Sequence, residues 1–409
     1  METIRCVLLK QGEIFLKGEN RSVFQKKLRQ NFERTFPSEC GQIRVQPRGG
    51  VVVLYPQRNA DHLAARMTEV PGINVVDIAV HVPKETGAIV AAALGELRRR
   101  FGEDLSAEQR AFAVISHRRD KQYPLTSEQL NRGIGAEIQK ATGWPVNLSR
   151  PEVSIRVEIN FGEAFVSVER LRGLGGLPVG SSGRAMVLLS GGFDSPVAGF
   201  RMMKRGLACD FIHFSGAPYT DPSSTYKAYA LVKQLSRFQP ASRLWVAQLG
   251  TAQRTLASSS DPALRTVAQR RLMLRIAEEL AHRQRAAALV TGDSLGQVAS
   301  QTLSNIATVD QATTLPVLRP LVGWDKEEII AEARRIGTEE ISVLPDQDCC
   351  TLLAPPRPAT HSDAETLLKV EKRAGIDDLV AGTVANLQEF RFAGGHDTSQ
   401  RTEEPVAAG

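Results

Sequence analysis

The sequence contains no Gly-x-x-x-x-Gly-Lys-Ser/Thr motif, few cysteines and no long apolar run. The missing motif excludes a Walker-type nucleotide site. The five cysteines have no regular spacing, which argues against a disulfide scaffold and against a Cys-x-x-Cys zinc site. Because no run of about 18 apolar residues occurs, no transmembrane helix is predicted, and the N-terminal residues lack the layout of a signal peptide. Together these absences predict a protein of the reducing cytoplasm.

The charge of the chain is modest but unevenly distributed. The formal net charge is +6 and the sequence pI is about 9.1, so a polyanion is a plausible partner. Clusters of basic residues lie in the first half of the chain, at 17–34, 98–100 and 117–121. Such clusters form either a solvated helix face or a nucleic-acid surface, and both interpretations stay open.

The motif Ser-Gly-Gly-Phe-Asp-Ser at 190–195 follows an apolar run at 185–189 and precedes a helical pattern. This order predicts a strand, a glycine turn and a helix, with Ser195 as the N-cap and Pro196 in the first turn. Successive N–H groups in such a turn form an anion nest that the helix N-terminus reinforces. The motif therefore predicts a phosphate site, and the alternative is an ordinary turn of small residues.

The chain after residue 184 alternates apolar strand patterns with amphipathic helix patterns. Strands are predicted at 185–189, 208–214, 243–248, 286–290 and 315–318, and helices at 195–205, 223–238, 261–283, 294–305 and 325–336. Strands separated by helices indicate a mostly parallel α/β sheet, whose ligands bind at the carboxyl ends of the strands. The first half reads as α+β, beginning with a unit of split βαβ composition.

Several residues near the predicted loop carry chemistry with two interpretations each. Asp194 either binds Mg²⁺ or orders the loop, and the pair His213–Phe214 either stacks on adenine or packs in the core. Arg270 lies on a long amphipathic helix, where it either is simply solvated or, if the helix runs past the loop, neutralises triphosphate charge. The adjacent thiols Cys349 and Cys350 are either ordinary or include an exposed nucleophile or sulfur carrier. No resident metal site is predicted.

Several long motifs resemble those of the tRNA 4-thiouridine sulfurtransferase family, which is also linked to thiamine thiazole synthesis. They are GLGGLPVGSSGRAMVLLSGGFDSPVAGFRMMKRG from Gly173, TGDSLGQVASQTLSNI from Thr291, RPLVGWDKEEII from Arg319, LPDQDCCTLLAPPRPAT from Leu344 and GEIFLKGENR from Gly12. The SGGxDS core resembles the PP-loop of ATP pyrophosphatases. The likeness spans residues 1 to about 362. It implies adenylation of O4 of uridine 8 in tRNA and replacement of AMP by sulfur from a persulfide.

The resemblance also implies a domain order. The expected parts are a ferredoxin-like domain at 1–60, a THUMP RNA-binding domain at 61–169, a glycine-rich linker at 170–184, a PP-loop ATP pyrophosphatase domain at 185–362, and a helical extension with a disordered tail at 363–409. The implied fold class is an α/β parallel-sheet PP-loop domain preceded by two α+β domains.

Site residues follow from the resemblance by position. The implied catalytic residues are Cys350 and Asp194, with Cys349 left open as the sulfur carrier. The implied ATP-binding residues are Leu188, Leu189, Ser190, Gly191, Gly192, Asp194, Ser195, His213, Phe214, Arg270, Gly292 and Gln301, the last on the helix after Gly292. The implied tRNA-binding residues are Lys17, Arg21, Arg118, Arg119 and Lys121. ATP and Mg²⁺ are the expected cofactors.

The chain departs from the longer family members, which carry a C-terminal rhodanese domain with a persulfide cysteine. About 47 residues follow Ser362 and none is cysteine, so the expected donor is a cysteine desulfurase that loads Cys350 directly, and a thiazole role is weakened. tRNA is the expected partner, with a homodimer carried over from the family. The alternatives are another PP-loop adenylating enzyme acting on RNA or a small molecule, or a non-catalytic tRNA-binding protein.

Overall fold

The computed structural model describes residues 4–48 and 50–399, except for the side chains of Cys350 and Thr351. The chain divides into two compact units. The first is built from residues up to Ser22 and from Thr35 to Gly176, and the second from Val23–Arg34 and from Leu177 onward. Within the described residues, no helix is both long and apolar enough to cross a bilayer.

The first unit contains a seven-stranded sheet in the order β2-β3-β1-β4-β7-β6-β5. All neighbouring strands are antiparallel except β5 and β6. The central strand β1 is apolar because both of its faces are buried, and its residues Cys6 to Leu9 are at most 1% exposed. Within the sheet, Val7 pairs with Leu54 of one neighbouring strand and with Ile78 of the other. The strands are β1 (Ile4–Gln11), β2 (Ile43–Arg48), β3 (Val51–Pro56), β4 (Ile73–Val82), β5 (Phe112–Arg118), β6 (Val153–Ile159) and β7 (Ala164–Arg172).

Four helices lie between these strands in the sequence, and most of the first one belongs to the second unit. Thr126 caps α4 with a capping box, in which its side chain accepts from the Gln129 N–H and the Gln129 side chain accepts from the Thr126 N–H. Because the strands of the predicted ferredoxin-like and THUMP domains form one sheet, the boundary near residue 60 stays a prediction. The helices are α1 (Arg21–Glu33), α2 (Ala60–Thr68), α3 (Thr86–Phe101) and α4 (Ser127–Thr142).

The second unit contains another seven-stranded sheet, in the order β12-β11-β8-β9-β10-β13-β14. The strands from β12 to β10 are parallel, as predicted. Strand β13 pairs antiparallel with β10, and β14 pairs antiparallel with β13. The strands are β8 (Arg184–Leu189), β9 (Ala208–Ser215), β10 (Ser242–Gln248), β11 (Ala288–Val290), β12 (Val317–Leu318), β13 (Gln388–Ala393) and β14 (His396–Asp397).

Helices of the second unit connect the parallel strands and continue beyond them. They are α5 (Asp194–Lys204), α6 (Ser223–Leu235), α7 (Gly250–Ser258), α8 (Arg265–Arg283), α9 (Leu303–Asp310), α10 (Lys326–Ile336), α11 (Glu339–Ser342), α12 (Cys349–Leu352), α13 (Ala364–Ala374) and α14 (Ile376–Ala385). Helix α8 packs its apolar face into the core cluster that contains Met186, Ile212 and Leu289 of the sheet.

The strand order reverses between β8 and β11. From β8 the chain proceeds through β9 to β10 on one side, whereas β11 and β12 lie on the other side. Loops at the carboxyl ends of the two strands at such a switch point diverge and leave a crevice. The loops at 190–193 and 291–298 therefore flank the place where this fold binds ligands.

Two of the predicted helices differ from the structure. The helix predicted at 294–305 is a short 3₁₀ helix, Ala299–Gln301, followed by α9. The helix predicted at 261–283 begins with a separate 3₁₀ turn, Pro262–Leu264, capped by the Asp261 side chain. Helix α7 and strand β13 were not predicted.

The C-terminal helices are tied to α8 by a buried charge cluster. The Glu371 carboxylate accepts from Arg271 Nε at 2.7 Å and from Arg275 Nη2 at 2.8 Å. Burial would raise the pKa of Glu371, but the two guanidinium groups bring it below its ordinary value. The helical extension was predicted, and residues 400–409 of the predicted disordered tail lie outside the described residues.

Candidate ATP site and cysteine segment

The loop at 190–193 closes on itself through two serines. The Ser190 N–H donates to Ser195 Oγ at 2.8 Å, and the two hydroxyl oxygens lie 3.0 Å apart. Helix α5 begins at Asp194 with Phe193 at the N-cap position. The prediction of Ser195 as N-cap was therefore wrong, because its side chain turns back to fasten the loop instead of capping the helix.

The loop after β11 packs directly on this turn. A Cβ added to Gly292 would lie 2.6 Å from the backbone nitrogen of Ser195, so any side chain there would push the two loops apart. A side chain at Gly191 would likewise meet Asp346 Oδ2 at 2.6 Å. These glycines are explained by close approach of neighbouring segments.

Asp293 gathers two arginines at the crevice. Its carboxylate pairs with Arg270 Nη2 and accepts from Arg319 Nε at 3.0 Å. It also accepts from Thr291 Oγ1 at 2.8 Å and from Gln301 Nε2 at 3.3 Å. Burial would raise the pKa of Asp293, but Arg270, Thr291 and Arg319 lower it below its usual value. The carboxylate thus fixes two guanidinium groups that face a common space.

That space is a cavity of about 410 Å³, within the size range of small-molecule sites. Its lining combines charged and polar residues such as Asp293 and Arg270 with apolar side chains such as Met273 and Leu274, a mixture that suits a ligand with both phosphates and a nucleobase. Seven of the predicted ATP-binding residues line it, namely Leu188, Ser190, Asp194, Ser195, Arg270, Gly292 and Gln301. Gln301 reaches the cavity from a 3₁₀ turn and not from the predicted helix.

Asp194 is held at the edge of the cavity by two partners. Lys326 Nζ donates to its Oδ1 at 2.8 Å, and Gln297 Nε2 donates to its Oδ2 at 3.2 Å. The Lys326 ammonium also lies 5.2 Å from the centre of the Phe193 ring. Asp194 therefore links the first turn of α5 to α10 and to the loop after β11, which is consistent with the interpretation that it orders the loop.

His213 and Phe214 are not among the residues that line the cavity. Phe214 is 5% exposed and belongs to the core cluster beneath the sheet. His213 is buried, with Nδ1 2.9 Å from the Leu189 carbonyl oxygen and Nε2 3.2 Å from Ser224 Oγ. The side chain of His213 thus supports the end of β8, and a contact of His213, Phe214 or Leu189 with the nucleotide stays a prediction.

The buried imidazole of His213 predicts a pH-dependent stability. Burial lowers its pKa below 6.5, offset in part by the Leu189 carbonyl and by Asp348 and Asp346. Above pH 6.5 the ring is neutral in both folded and unfolded chains. As the pH falls below 6.5, the unfolded chain gains the proton first, so the free energy of unfolding decreases until the folded pKa is reached.

Urea unfolding of the His213→Asn variant, between pH 7.5 and 5.5, measures this contribution. We expect a smaller loss of stability on acidification than in the unchanged chain. His282→Asn is the matched control, because that side chain is 57% exposed at the end of α8. A pH dependence that is equal in the two variants would contradict the assignment.

The two adjacent cysteines lie in the short helix α12. Cys349 is 2% exposed. Its carbonyl oxygen accepts from Gln253 Nε2 at 2.7 Å, and its sulfur lies 3.8 Å from Gln269 Nε2. The side chain of Cys350 lies outside the described part of the structure. Cys349 is thus a packed thiol and lacks the exposure expected of a sulfur carrier.

Cys6, Cys40 and Cys209 are buried thiols. Their exposed fractions are 0%, 0% and 1%. Burial raises the pKa of Cys6 and of Cys209, so the thiolate form that reacts with electrophiles is disfavoured at neutral pH.

Basic residues of the first unit meet aromatic rings on its surface. The Arg21 guanidinium lies 4.3 Å from the centre of the Phe15 ring. A Cβ added to Gly50 would lie 3.3 Å from the Phe15 ring and 3.6 Å from Arg119 Nη1. Positions about 100 residues apart in sequence thus share one neighbourhood. A cavity of about 420 Å³ adjoins it, lined by Arg48, Arg119, Asn160, Phe161, Gly162 and Glu163.

The other predicted RNA-binding positions differ in environment. Arg118 ends β5 and donates to the Tyr123 carbonyl at 3.1 Å, Lys121 is exposed, and Lys17 follows the 3₁₀ turn Glu13–Leu16. In the cluster at 98–100, Arg99 pairs with Glu96, and both Arg99 and Arg100 lie near Glu169. Internal ion pairing therefore accounts for part of that basic cluster.

Comparison with protein families gives three matches along the chain. The model described as Thiamine biosynthesis protein (ThiI) matches residues 180–376, the THUMP domain matches 96–169, and the ThiI ferredoxin-like domain matches 6–76. A probable tRNA sulfurtransferase of Nocardia farcinica is 55% identical over 376 residues, which cover 92% of this chain and 91% of the relative. The chain belongs to the tRNA sulfurtransferase family. A family member of Thermus thermophilus is 41% identical over 382 residues, covering 93% and 92% of the two chains.

A solved structure supports the same assignment. A 4-thiouridine synthetase, crystallised as an RNA complex with bound ATP, superposes with a TM-score of 0.87 at 31% identity. The match covers 95% of this chain and 100% of that chain. The predicted fold class, with an α/β PP-loop domain after ferredoxin-like and THUMP domains, is confirmed for this member of the tRNA sulfurtransferase family.

Four charged residues of the candidate site were not assigned from the sequence of this sulfurtransferase. Asp293, Arg319 and Asp348 line the cavity, and Lys326 pairs with Asp194. All four lie inside the motifs that carry the family resemblance. In the sequence, each is a charged residue within a glycine- or proline-rich segment between elements. The local pattern did not indicate that these four residues lie close together in the folded chain.

Proposed function

We propose that this chain is an ATP-dependent tRNA sulfurtransferase that adenylates O4 of uridine 8 and replaces this oxygen by sulfur, giving 4-thiouridine. The observation that carries the proposal is the cavity at the switch point of the second sheet. It joins the 190–195 loop to Arg270 and Arg319, and it includes Asp348, the residue before the cysteine pair.

The charges of the cavity suit phosphoryl chemistry. The 190–193 loop offers N–H groups to phosphate oxygens, and Arg270 and Arg319 stabilise the negative charge that shifts to the leaving pyrophosphate. Asp293 holds both guanidinium groups in place, so little reorganisation accompanies the reaction. The apolar side chains of the lining, among them Met273 and Leu274, suit the adenine ring.

Magnesium fits this site as a companion of the nucleotide. Mg²⁺ is commonly held by one or two carboxylates together with substrate phosphates. Asp194 and Asp348 both line the cavity and supply such carboxylates. Bound there, the ion would neutralise phosphate charge.

The sulfur step is assigned to Cys350. Cys349 is buried, whereas a sulfur carrier must be accessible to its donor and to the base, so the neighbouring Cys350 is the proposed carrier. The terminal sulfur attacks C4 of the adenylated base, AMP leaves, and a further thiol reduces the remaining S–S bond. Transfer from a cysteine desulfurase, a homodimeric state and a cytoplasmic location remain predictions.

The basic and aromatic surface of the first unit is the proposed tRNA contact. Arginine and aromatic side chains together recognise RNA through phosphates and stacking. Arg21 stacks on Phe15, and Phe15 and Arg119 both lie beside Gly50. Lys17, Arg118 and Lys121 are proposed as further contacts.

Alanine substitution of Arg118, Arg119 and Lys121 together is expected to weaken tRNA binding. Each lost phosphate contact should reduce the magnitude of the slope of log K against log [salt] by about 1. Filter binding or fluorescence anisotropy at several salt concentrations measures this slope. Arg132→Ala, which removes a 79% exposed arginine of α4, is the control, and an unchanged slope in the triple variant would contradict the proposal.

The function itself is tested by two measurements. Purified chain with ATP and magnesium should release pyrophosphate when unmodified tRNA is added. Nucleoside mass spectrometry of tRNA from cells lacking the protein should show loss of 4-thiouridine. Pyrophosphate release with a small molecule instead of tRNA would favour another PP-loop enzyme, and tRNA binding without release would favour a non-catalytic protein.

A further inference from the structure

The segment Ser342–Cys349, which we call the cysteine strap, runs along the phosphate loop before it reaches α12. Ser342 Oγ donates to the Gly192 carbonyl at 3.3 Å. Asp346 lies so close to Gly191 that an added Cβ would come within 2.6 Å of its Oδ2. The strap therefore contacts both glycines of the loop.

A buried lysine holds the middle of the strap. Lys227 of α6 donates from Nζ to the Leu344 carbonyl at 2.5 Å and to Asp346 Oδ1 at 3.0 Å. The side chains of Lys227 and Asp346 are 6% and 16% exposed. A buried ammonium is costly unless it is paired and hydrogen-bonded, so the ion pair strongly favours this one position of the strap.

Further hydrogen bonds hold the part of the strap that follows Asp346. The Gln347 N–H donates to Ser223 Oγ at 3.0 Å, and its side-chain oxygen accepts from the Asp221 N–H at 3.1 Å. The Cys349 carbonyl is held by Gln253. Lys227 and Asp346 thus add an ion pair to these hydrogen bonds, at a position four residues before Cys350.

We propose that Lys227 and Asp346 are positioning residues for sulfur transfer, because their buried ion pair against Gly191 fixes the strap that presents α12 to the nucleotide cavity. This inference rests on the proposed function. Neither residue lines the cavity, so both act through the strap. Attack on C4 requires the sulfur within about 3 to 3.5 Å of the carbon, and a displacement of about 1 Å can reduce a rate 100-fold. Adenylation does not involve the sulfur and is less sensitive to the position of the strap.

The Asp346→Ala variant separates the two steps. Pyrophosphate release and 4-thiouridine formation are measured on the same unmodified tRNA, with a cysteine desulfurase, cysteine and a thiol reductant as sulfur source. We expect pyrophosphate release to stay within about threefold, whereas thiolation of saturating tRNA should slow about 10- to 100-fold. Asp346→Asn keeps an acceptor for Lys227 and should restore much of the loss.

Two further variants control the interpretation. Adding Lys227→Met to Asp346→Ala should cause little further loss, because both residues act through one contact. Asp210→Ala removes a buried carboxylate that pairs with Arg184 and Arg243 near the opposite ends of the strands. If Asp210→Ala lowers activity at all, it should lower pyrophosphate release and 4-thiouridine formation by the same factor. Asp346→Ser repeats the test if the alanine variant fails to fold, as judged by circular dichroism.

The outcomes distinguish the inference from the proposed function. Equal loss of both steps in the folded Asp346 variants, or loss of neither, overturns the positioning role. If the unchanged chain releases no pyrophosphate with tRNA, the proposed function itself fails. Loss of 4-thiouridine alone, reversed by Asp346→Asn, supports the inference.

Discussion

Replacing Asp194 with alanine is expected to lower tRNA-dependent pyrophosphate release about 10²- to 10³-fold, the scale of losing one preorganised electrostatic contact at a reacting group. The variant loses the carboxylate that accepts hydrogen bonds from Lys326 and Gln297. The first turn of α5 then loses its side-chain contact with α10 and with the loop after β11. It also loses a carboxylate that suits magnesium. A coupled pyrophosphate assay measures the rate, and a binding assay should show tRNA affinity near that of the unchanged chain.

Asp194→Asn separates the two roles of this carboxylate. The amide oxygen still accepts from Lys326, so substantial activity in this variant would assign Asp194 to ordering the loop. Activity as low as that of the alanine variant would assign it to charge, and hence to magnesium. Asp377→Ala, which removes an exposed acid from the first turn of α14, is the matched control. Unchanged pyrophosphate release in Asp194→Ala would contradict the proposed site.

The sheet of the second unit could be predicted from the sequence because local patterns determine it. Each parallel strand is a short apolar run, and each crossover is a helix pattern, so the order of elements and the loop at the end of β8 follow. Strand β13 could not be found in this way. Phe390 and Phe392 alternate with polar residues, but this short pattern forms a strand only because it pairs with β10, where Ser242 lies opposite Phe392. The periodicity of one segment carries no information on pairing with a strand that is distant in sequence.

The candidate site shows the same division between local and long-range information. The loop motif marks its own position, but Asp293, Arg270 and Arg319 come from three separate elements and meet only in the folded chain. Helix α7 was missed because Gln253, a polar residue, faces the interior, where it bonds to Gln269 and to the Cys349 carbonyl. A buried polar residue hides the apolar face on which helix prediction depends.

The side chains of His213 and Phe214, at the end of β9, lie in different environments. Successive side chains of a strand point to opposite faces, so His213 and Phe214 cannot both serve the same pocket from one side. Phe214 joins the core cluster with Ile212, two positions earlier. His213 turns to the other face and meets Ser224 of α6. The Phe214 side chain therefore packs in the core, which is the second of the two interpretations that the sequence allowed for this pair.

Alanine at Cys350 is expected to abolish 4-thiouridine formation while tRNA-dependent pyrophosphate release continues. In the proposed scheme, adenylation needs the nucleotide, the phosphate loop and the arginines but no thiol, whereas the transferred sulfur has no carrier other than Cys350. Nucleoside mass spectrometry of the tRNA and a pyrophosphate assay on the same reaction give both readings. Incubation with a desulfurase and cysteine should also leave a persulfide on Cys350 of the unchanged chain, detectable by peptide mass spectrometry.

Cys349→Ala is the matched control, because it removes a thiol of identical chemistry one position away. Cys349 packs in the core at 2% exposure, so its loss should reduce stability by about 1 kcal/mol, a typical effect of a point substitution, and leave sulfur transfer intact. The opposite result, with 4-thiouridine lost in Cys349→Ala and retained in Cys350→Ala, would show that the packed thiol becomes exposed during the reaction. Sulfur transfer would then require α12 to rotate, and the contacts that hold the strap would have to break to allow this rotation.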